Sequence, residues 1–299
     1  MGLQLPKRSA APKRLAAIAL MGGTLLLLGA CSQADKDQIG RLAMPEPATT
    51  QAPATFDLWK WSWVAAMAVG VITWGLIFFA AWRYRRRNEN EIPVQTRYNL
   101  PLEVFYTIAP ILMVVVFFFW TLKVEGVVNE KPADPDMTVE VVGQQWSWTF
   151  NHGLGEPDNT HNDPEEGEFA YDEYAYALPG TGRDIPTLVL PVDTTIRFNL
   201  HSPDVIHSFG VPEFLIKLDV VPGQVNSLYV TTSREGTFRG KCYELCGVSH
   251  SRMLFNVEVV SQAEYDEYLA SLPTSPTPLL GGSDSITVPG LETQEGAHE

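Results

Sequence analysis

Two thiols, an imidazole and a thioether fall within twelve residues of this chain, in the run Cys242-Tyr243-Glu244-Leu245-Cys246-Gly247-Val248-Ser249-His250-Ser251-Arg252-Met253. A second imidazole, His207, lies 35 residues before the first of these thiols. Thiolate and thioether are soft ligands, and together with imidazole they favour copper. A mononuclear electron-transfer copper needs one Cys, two His and a weak Met. With two Cys present, the thiolates could instead bridge two coppers, with one His on each and with Met253 and a backbone carbonyl as weak outer ligands. Such a pair shares one electron over both metals, so bond lengths change little on reduction and transfer needs little reorganisation. Two other chemistries draw on the same residues. Cys242 and Cys246 could close a disulfide in an oxidising compartment, and two Cys with two His could hold structural zinc. Met253 has no use in either, which weights the spacing towards copper.

Ligands of this kind need a rigid frame, and the chain around them alternates as strands do. Met137–Val142, Thr187–Leu190, Thr195–Leu200 and Ser227–Val230 read as β-structure, most of them with the apolar–polar period of a half-buried strand. Several short strands separated by Pro and Gly predict a sandwich or small barrel over residues 129–273, with a short closing helix at Gln262–Leu272. Residues 151–184 break the pattern with nine acidic residues and one Arg. They read as a long surface insertion. Residues 274–299, rich in Pro, Gly, Ser and Thr, read as a disordered tail.

The frame is expected to sit outside a membrane. Lys7, Arg8, Lys13 and Arg14 precede an apolar run from Leu15 to Leu28. That run is shorter than the ~20 residues a spanning helix needs, so residues 1–30 read as an export signal. It ends in Leu28-Gly29-Ala30-Cys31, which resembles a bacterial lipobox whose cysteine carries lipid. An ordinary signal peptide with an unmodified cysteine is the plainer alternative. A polar stretch with three prolines follows, and residues 31–57 read as a flexible tether.

Residues 58–128 read as a transmembrane hairpin with helices at about 61–82 and 104–122. Trp61 to Trp82 carries no formal charge, and neither does Val104 to Leu122. The first, at ~1.5 Å per residue, spans about 33 Å. Trp59, Trp61 and Trp63 at one end and Trp82 and Tyr84 at the other match interfacial aromatic belts. Between the runs lie Arg83, Arg85, Arg86, Arg87 and Arg97, and Arg-rich short loops stay in the cytoplasm. The hairpin thus enters from the outer face and returns to it, which puts Cys31 and everything after residue 123 outside. The whole chain has 299 residues and a net charge of −14. From residue 129 onward there are eight basic residues against 27 acidic ones. So acidic an outer part argues against nucleic acid as a partner.

The sequence resembles subunit II of the haem–copper cytochrome c oxidases across about residues 57–272. The resemblance is carried by the Cys242–Met253 run, which is similar to the family's binuclear copper A motif. It is carried also by Asp204-Val205-Ile206-His207-Ser208-Phe209, by Lys217-Leu218-Asp219-Val220-Val221-Pro222-Gly223 and by Gln144-Gln145-Trp146-Ser147-Trp148-Thr149-Phe150. It implies a two-helix transmembrane hairpin followed by an all-β, cupredoxin-like Greek-key sandwich. Carried over by position, His207, Cys242, Cys246, His250 and Met253 bind copper by side chain and Glu244 by its carbonyl. The Glu244 carboxylate then reaches a Mg²⁺ or Mn²⁺ shared with subunit I, as suits a hard cation wanting oxygen. A plain solvent-facing Glu244 is equally compatible with its spacing.

By strand period Trp146, Trp148 and Phe150 share one face, and all three could be core. The resemblance instead makes Trp146 the exposed inlet for electrons from a c-type cytochrome. That requires a strand end or bulge at Trp146 while Trp148 stays buried. The family often has His where this chain has Gln144, a departure that leaves the copper ligands untouched. At the cytoplasmic end of the second helix, Glu103 is favoured by the helix dipole, and the resemblance also implies a proton-uptake role beside subunit I.

The partners implied are subunits I and III, membrane lipid and a basic-rimmed c-type cytochrome, whose encounter an acidic face would speed. The insertion could contact a membrane-tethered donor in a supercomplex. His152 and His161 within it lack companion ligands and read as solvated loop residues. The implied location is the bacterial plasma membrane, multi-pass, with the C-terminal domain on the outer face. Two competing classes are weaker. A copper chaperone with Cys-x3-Cys would show one anchor and a thioredoxin-like βαβ pattern, and a quinol-oxidase relative would lack the ligands that are all present here.

Overall fold

The computed structural model describes residues 33–88, 92–155, 171–176 and 185–279. The expected signal peptide, Cys31, His161 and most of the expected insertion and tail lie outside the described residues. The chain divides into two units, Met1–Pro45 and Glu46–Glu299. In the first, the described part is one short helix, α1 (Gln33–Gly40), closed by Leu42 and Ala43 in the left-handed region.

The second unit holds both membrane-length helices and the β-domain. Helix α2 (Ala52–Arg83) and helix α3 (Leu100–Val128) run past the apolar windows at both ends, because the aromatic and charged flanks continue the helix into the interfacial layers. At ~1.5 Å per residue they reach about 48 and 43 Å. Helix α2 starts at a proline-containing first turn, where Ala52 N–H bonds Thr49 Oγ1 at 3.2 Å. Helix α3 starts with a reciprocal cap: Asn99 Oδ1 accepts from Leu102 N–H at 3.3 Å and Glu103 Oε1 accepts from Asn99 N–H at 2.9 Å. Those contacts satisfy donors that a helix start otherwise leaves open.

The β-domain is a two-sheet sandwich. One sheet has six strands in the order β11-β3-β2-β1-β5-β8, built from β1 (Met137–Gln144), β2 (Ser147–Leu154), β3 (Glu173–Tyr176), β5 (Thr195–His201), β8 (Asn226–Thr231) and β11 (Thr274–Ser275). The other has five in the order β4-β10-β9-β6-β7, from β4 (Thr187–Pro191), β6 (His207–Val211), β7 (Ile216–Val220), β9 (Gly236–Cys242) and β10 (Leu254–Val260). β1 lies parallel to β5 and β4 parallel to β10, while the other pairs are antiparallel. These are the expected hairpin and all-β sandwich.

Between the sheets sits an aromatic core. Phe209 and Phe255 stack at 5.0 Å, and Trp148 meets both edge-on at 5.7 and 5.5 Å. Gly240 lets Phe255 lie flat on the neighbouring strand, since a Cβ there would stand 1.9 Å from the ring. The same inward alternation that buries Phe238 and Phe209 turns Cys242 and His207 into the core. Helix α4 (Gln262–Ser271) closes one end, started by a capping box of Ser261 and Glu264.

Three segments differ from the expectations. The stretch read as a tether is docked at its end: Ala48 N–H bonds Glu213 O, Ser233 N–H bonds Ala48 O and Thr50 N–H bonds Thr231 O, with Ala48 and Thr49 buried. Pairing with the backbone of Glu213, Thr231 and Ser233 gives this polar stretch the partners its composition does not predict. The region read as insertion supplies β3, and the region read as tail supplies β11, which pairs with it. Asn151 continues that pairing by exchanging two hydrogen bonds with Leu279, at 2.8 and 3.2 Å. His152 is buried rather than solvated, because β2 runs on past Phe150 and turns this ring towards helix α4.

Candidate metal centre

The thiol loop joins two antiparallel neighbours. β9 ends on Cys242, β10 begins one residue after Met253, and Cys242 N–H bonds Met253 O at 3.0 Å to close the base of the loop. Within it His250–Arg252 form one tight turn, with His250 N–H on Gly247 O and Met253 N–H on His250 O. Tyr243 N–H bonds Ser208 O at 3.0 Å and ties the loop to the strand that carries His207. The five donors singled out in the sequence come from three places on this frame and converge.

Each thiol has an imidazole and a weaker donor beside it. Cys242 Sγ lies 3.9 Å from His207 Nδ1 and 3.2 Å from Glu244 O. Cys246 Sγ lies 3.6 Å from His250 Nδ1 and 3.7 Å from Met253 Sδ. The two sulfurs are free thiols 3.9 Å apart. His207, Cys242 and Cys246 offer three ligand atoms all within 4.8 Å of one another. A metal about 2.3 Å from sulfur and about 2.0 Å from nitrogen, in a tetrahedral site, separates those donors by roughly 3.5 Å. The observed imidazole–thiol spacings fit metal between them.

The electrostatics point the same way. Burial, with Cys242 adjacent, pushes the Cys246 thiol up to about 12, so a cationic partner is needed to make it a thiolate at neutral pH. Burial also lowers His207 below the usual imidazole value, against an opposing pull from Asp204. A neutral imidazole is the form that ligates. Cys242, Cys246, Met253 and His207 are closed to solvent, whereas His250 is half-buried and Glu244 exposed.

The two tryptophans do not share one face as the strand period alone would have it. β1 ends at Gln144 and β2 starts at Ser147, so Gln145 and Trp146 form the turn between them. Trp148 points into the core, while Trp146 is half-buried and packs on the outside of the cluster. The Trp146 indole N–H donates to Cys246 O at 3.2 Å. Gly247 is in the left-handed region at φ +125°, and a Cβ on it would come within 3.0 Å of the Trp146 ring.

Glu103 belongs to the first turn of α3 and is not part of this cluster. Two residues were given no role by sequence reasoning. Asp204 holds Nε2 of His207 at 2.9 Å, and Gln145 Nε2–H donates to Cys246 O at 2.6 Å. Hydrogen bonds from Gln145 and His207 outweigh burial and hold the Asp204 carboxyl below its usual range. The only signal for Asp204 was an acid three residues before a candidate ligand.

Comparison with known proteins places the chain among relatives of one kind. Residues 137–260 match the family profile for cytochrome c oxidase subunit II, periplasmic domain. A probable cytochrome c oxidase subunit 2 of Streptomyces coelicolor is 45% identical over 267 residues, covering 83% of this chain and 84% of the relative. The cytochrome c oxidase subunit 2 of Corynebacterium glutamicum is 35% identical over 307 residues, covering 86% of each. Among solved structures, the periplasmic domain of subunit II of the Bradyrhizobium japonicum cytochrome oxidase is similar over 46% of this chain and 94% of its own length, at 26% identity and a TM-score of 0.37.

Proposed function

The chain belongs to the cytochrome c oxidase subunit II family, and from that premise we propose that it is the subunit through which electrons reach the oxidase. It takes them one at a time from a c-type cytochrome and delivers them to haem in subunit I, where O2 reduction is coupled to proton translocation. The observation that carries this is the pairing of each buried thiol with its own imidazole across a 3.9 Å sulfur–sulfur gap. His207, Cys242, Cys246, His250 and Met253 would hold a copper pair by side chain and Glu244 by its carbonyl. Bound there, two coppers supply a centre that accepts one electron with little change in bond length.

The chain's own residues do the rest. The strands hold Cys242 and His207 in place, the loop between β9 and β10 holds Cys246, and the closed core excludes water from all three. Trp146 presents a half-buried indole at the surface and hydrogen-bonds the carbonyl of Cys246, so an electron reaching the ring has a short bonded route to a ligand. The exposed Glu244 carboxylate is free to reach a Mg²⁺ or Mn²⁺ shared with subunit I. The acidic outer part, with the 151–184 region, favours a basic donor, including one tethered to the membrane in a supercomplex. Glu103, at the cytoplasmic end of α3, would serve proton uptake besides capping its helix. Subunits I and III and lipid would cover the apolar faces of α2 and α3 in a bacterial plasma membrane. Acylation of Cys31 would add an anchor on the outer face.

Electron paramagnetic resonance on the purified oxidase tests this. Hyperfine splitting from one electron shared over two copper nuclei is the expected result. A single-copper pattern, or a site holding only zinc, would remove the basis for the proposal.

A further inference from the structure

Two loops that are distant in sequence meet at one carboxylate. Asp204 Oδ1 lies 2.9 Å from His207 Nε2, the ring nitrogen remote from the thiols. Asp204 Oδ2 accepts the backbone N–H of Gln145 at 2.6 Å. The carboxylate is itself fixed, since Val205 N–H donates to Oδ1 at 2.6 Å, while Ser202 Oγ lies 3.2 Å from Oδ1, donates to Val205 O at 2.5 Å and accepts from Asp204 N–H at 3.4 Å. On the other side of the turn, Gln145 Nε2–H and Trp146 Nε1–H both donate to Cys246 O. A continuous chain of hydrogen bonds results: ring of His207, Asp204, the Gln145–Trp146 turn, and the carbonyl of Cys246.

We infer that Asp204 is a positioning residue for electron transfer, clamping the His207 ring and the Trp146 turn with one carboxylate. This rests on the copper reading proposed above. A histidine that ligates through Nδ1 carries its proton on Nε2, so it needs an acceptor there, and the Gln145 N–H needs a second acceptor beside it. A carboxylate accepts on both oxygens, whereas a side-chain amide of the same shape offers one acceptor and one donor. Only the carboxylate satisfies both sides of the clamp at once. Partners that orient a ligating histidine typically change metal affinity or activity by about 10–100-fold when removed.

The test uses the intact oxidase with Asp204→Asn, read by copper loss to a Cu(I) chelator, by the hyperfine pattern, and by the rate of electron uptake from a photoreduced cytochrome c. In Asp204→Asn, copper is expected to leave roughly ten-fold faster or more, with an altered hyperfine pattern and slower uptake. Asp204→Glu, which keeps two acceptors, is expected to recover part of each. A merely structural carboxylate would leave the hyperfine pattern of the copper that remains bound unchanged. Should Asp204→Asn not assemble, Ser202→Ala loosens the carboxylate without removing it and is expected to shift the spectrum in the same direction. Unchanged retention and spectrum in Asp204→Asn, or in Ser202→Ala where that stands in, overturn the inference and leave the copper reading intact. A wild-type oxidase without a two-copper signal overturns both, so the two failures are told apart.

Discussion

Two histidines of the β-domain are equally closed to solvent and differ in almost everything else. His207 and His152 are both fully buried, and each lies against aromatic rings. His207 has Asp204 on one nitrogen and a thiol facing the other. His152 has the Tyr265 hydroxyl on Nδ1 at 2.9 Å, and its Nε2 has no partner among the described residues. Tyr265 and Tyr268 wall it in at 5.7 and 5.8 Å between ring centres. Burial with nothing to offset it lowers His152 to about 4, so this ring stays neutral and serves packing. Burial alone therefore does not make a ligand. The difference lies in what the second nitrogen meets, a fixed acceptor in one case and no partner among the described residues in the other.

The contrast can be broken most severely at His207. His207→Ala should abolish the shared-electron signal and turnover with cytochrome c, while His152→Phe should leave that signal unchanged. Electron paramagnetic resonance of the two variants side by side checks both. A next effect is on stability against pH. The unfolded His152 protonates near 6.5 and the folded one near 4, so the unfolded state binds the extra proton between those values. Stability is then complete above about pH 6.5 and falls as the pH drops towards 4, by on the order of 3 kcal/mol. Thermal unfolding of the detergent-solubilised chain across that window should show the decline, and His152→Phe should flatten it.

Tyr265→Phe takes away the side-chain hydrogen bond that His152 makes among the described residues and leaves a buried imidazole unpaired, at a cost of about 1–3 kcal/mol. Denaturant midpoints measure it, and an unchanged copper spectrum would confine the effect to this side of the domain. The smallest expected change is Ser261→Ala. It removes the cap of the helix that presents Tyr265 and should cost about 1 kcal/mol, read as faster amide exchange in α4 with no change at the thiol loop.

The same contrast explains what could be read from the sequence. The thiol loop was legible because its donors are close neighbours in the chain and chemically unusual together. The helices were legible because an uncharged run of that length has few other uses, and the sandwich because alternation survives in most strands. Asp204 was not, because its two contacts that matter join residues 59 positions apart and three apart, to a backbone N–H and to a ring. Gln145 was hidden by a span of 101 residues to Cys246. His152 looked like a loop residue since its neighbours Asn151 and Gly153 are loop-like, yet strand pairing with Ala175 overrides them. The docked stretch at Ala48–Thr50 is polar and proline-flanked, and only the strand edge waiting for it makes it ordered.

That docked stretch has a mechanical consequence. A head carried on one helix can swivel about that helix as about a pivot. Here the chain grips the β-domain just before α2 begins and enters it again just after α3 ends, so the head stands on two legs. Torsion about the membrane normal then has to shear hydrogen bonds at Thr231 and Ser233 rather than turn a hinge. Trp146 keeps a fixed compass bearing relative to the hairpin, and in the electron-entry role proposed above a donor would have fewer orientations to search before it meets the ring.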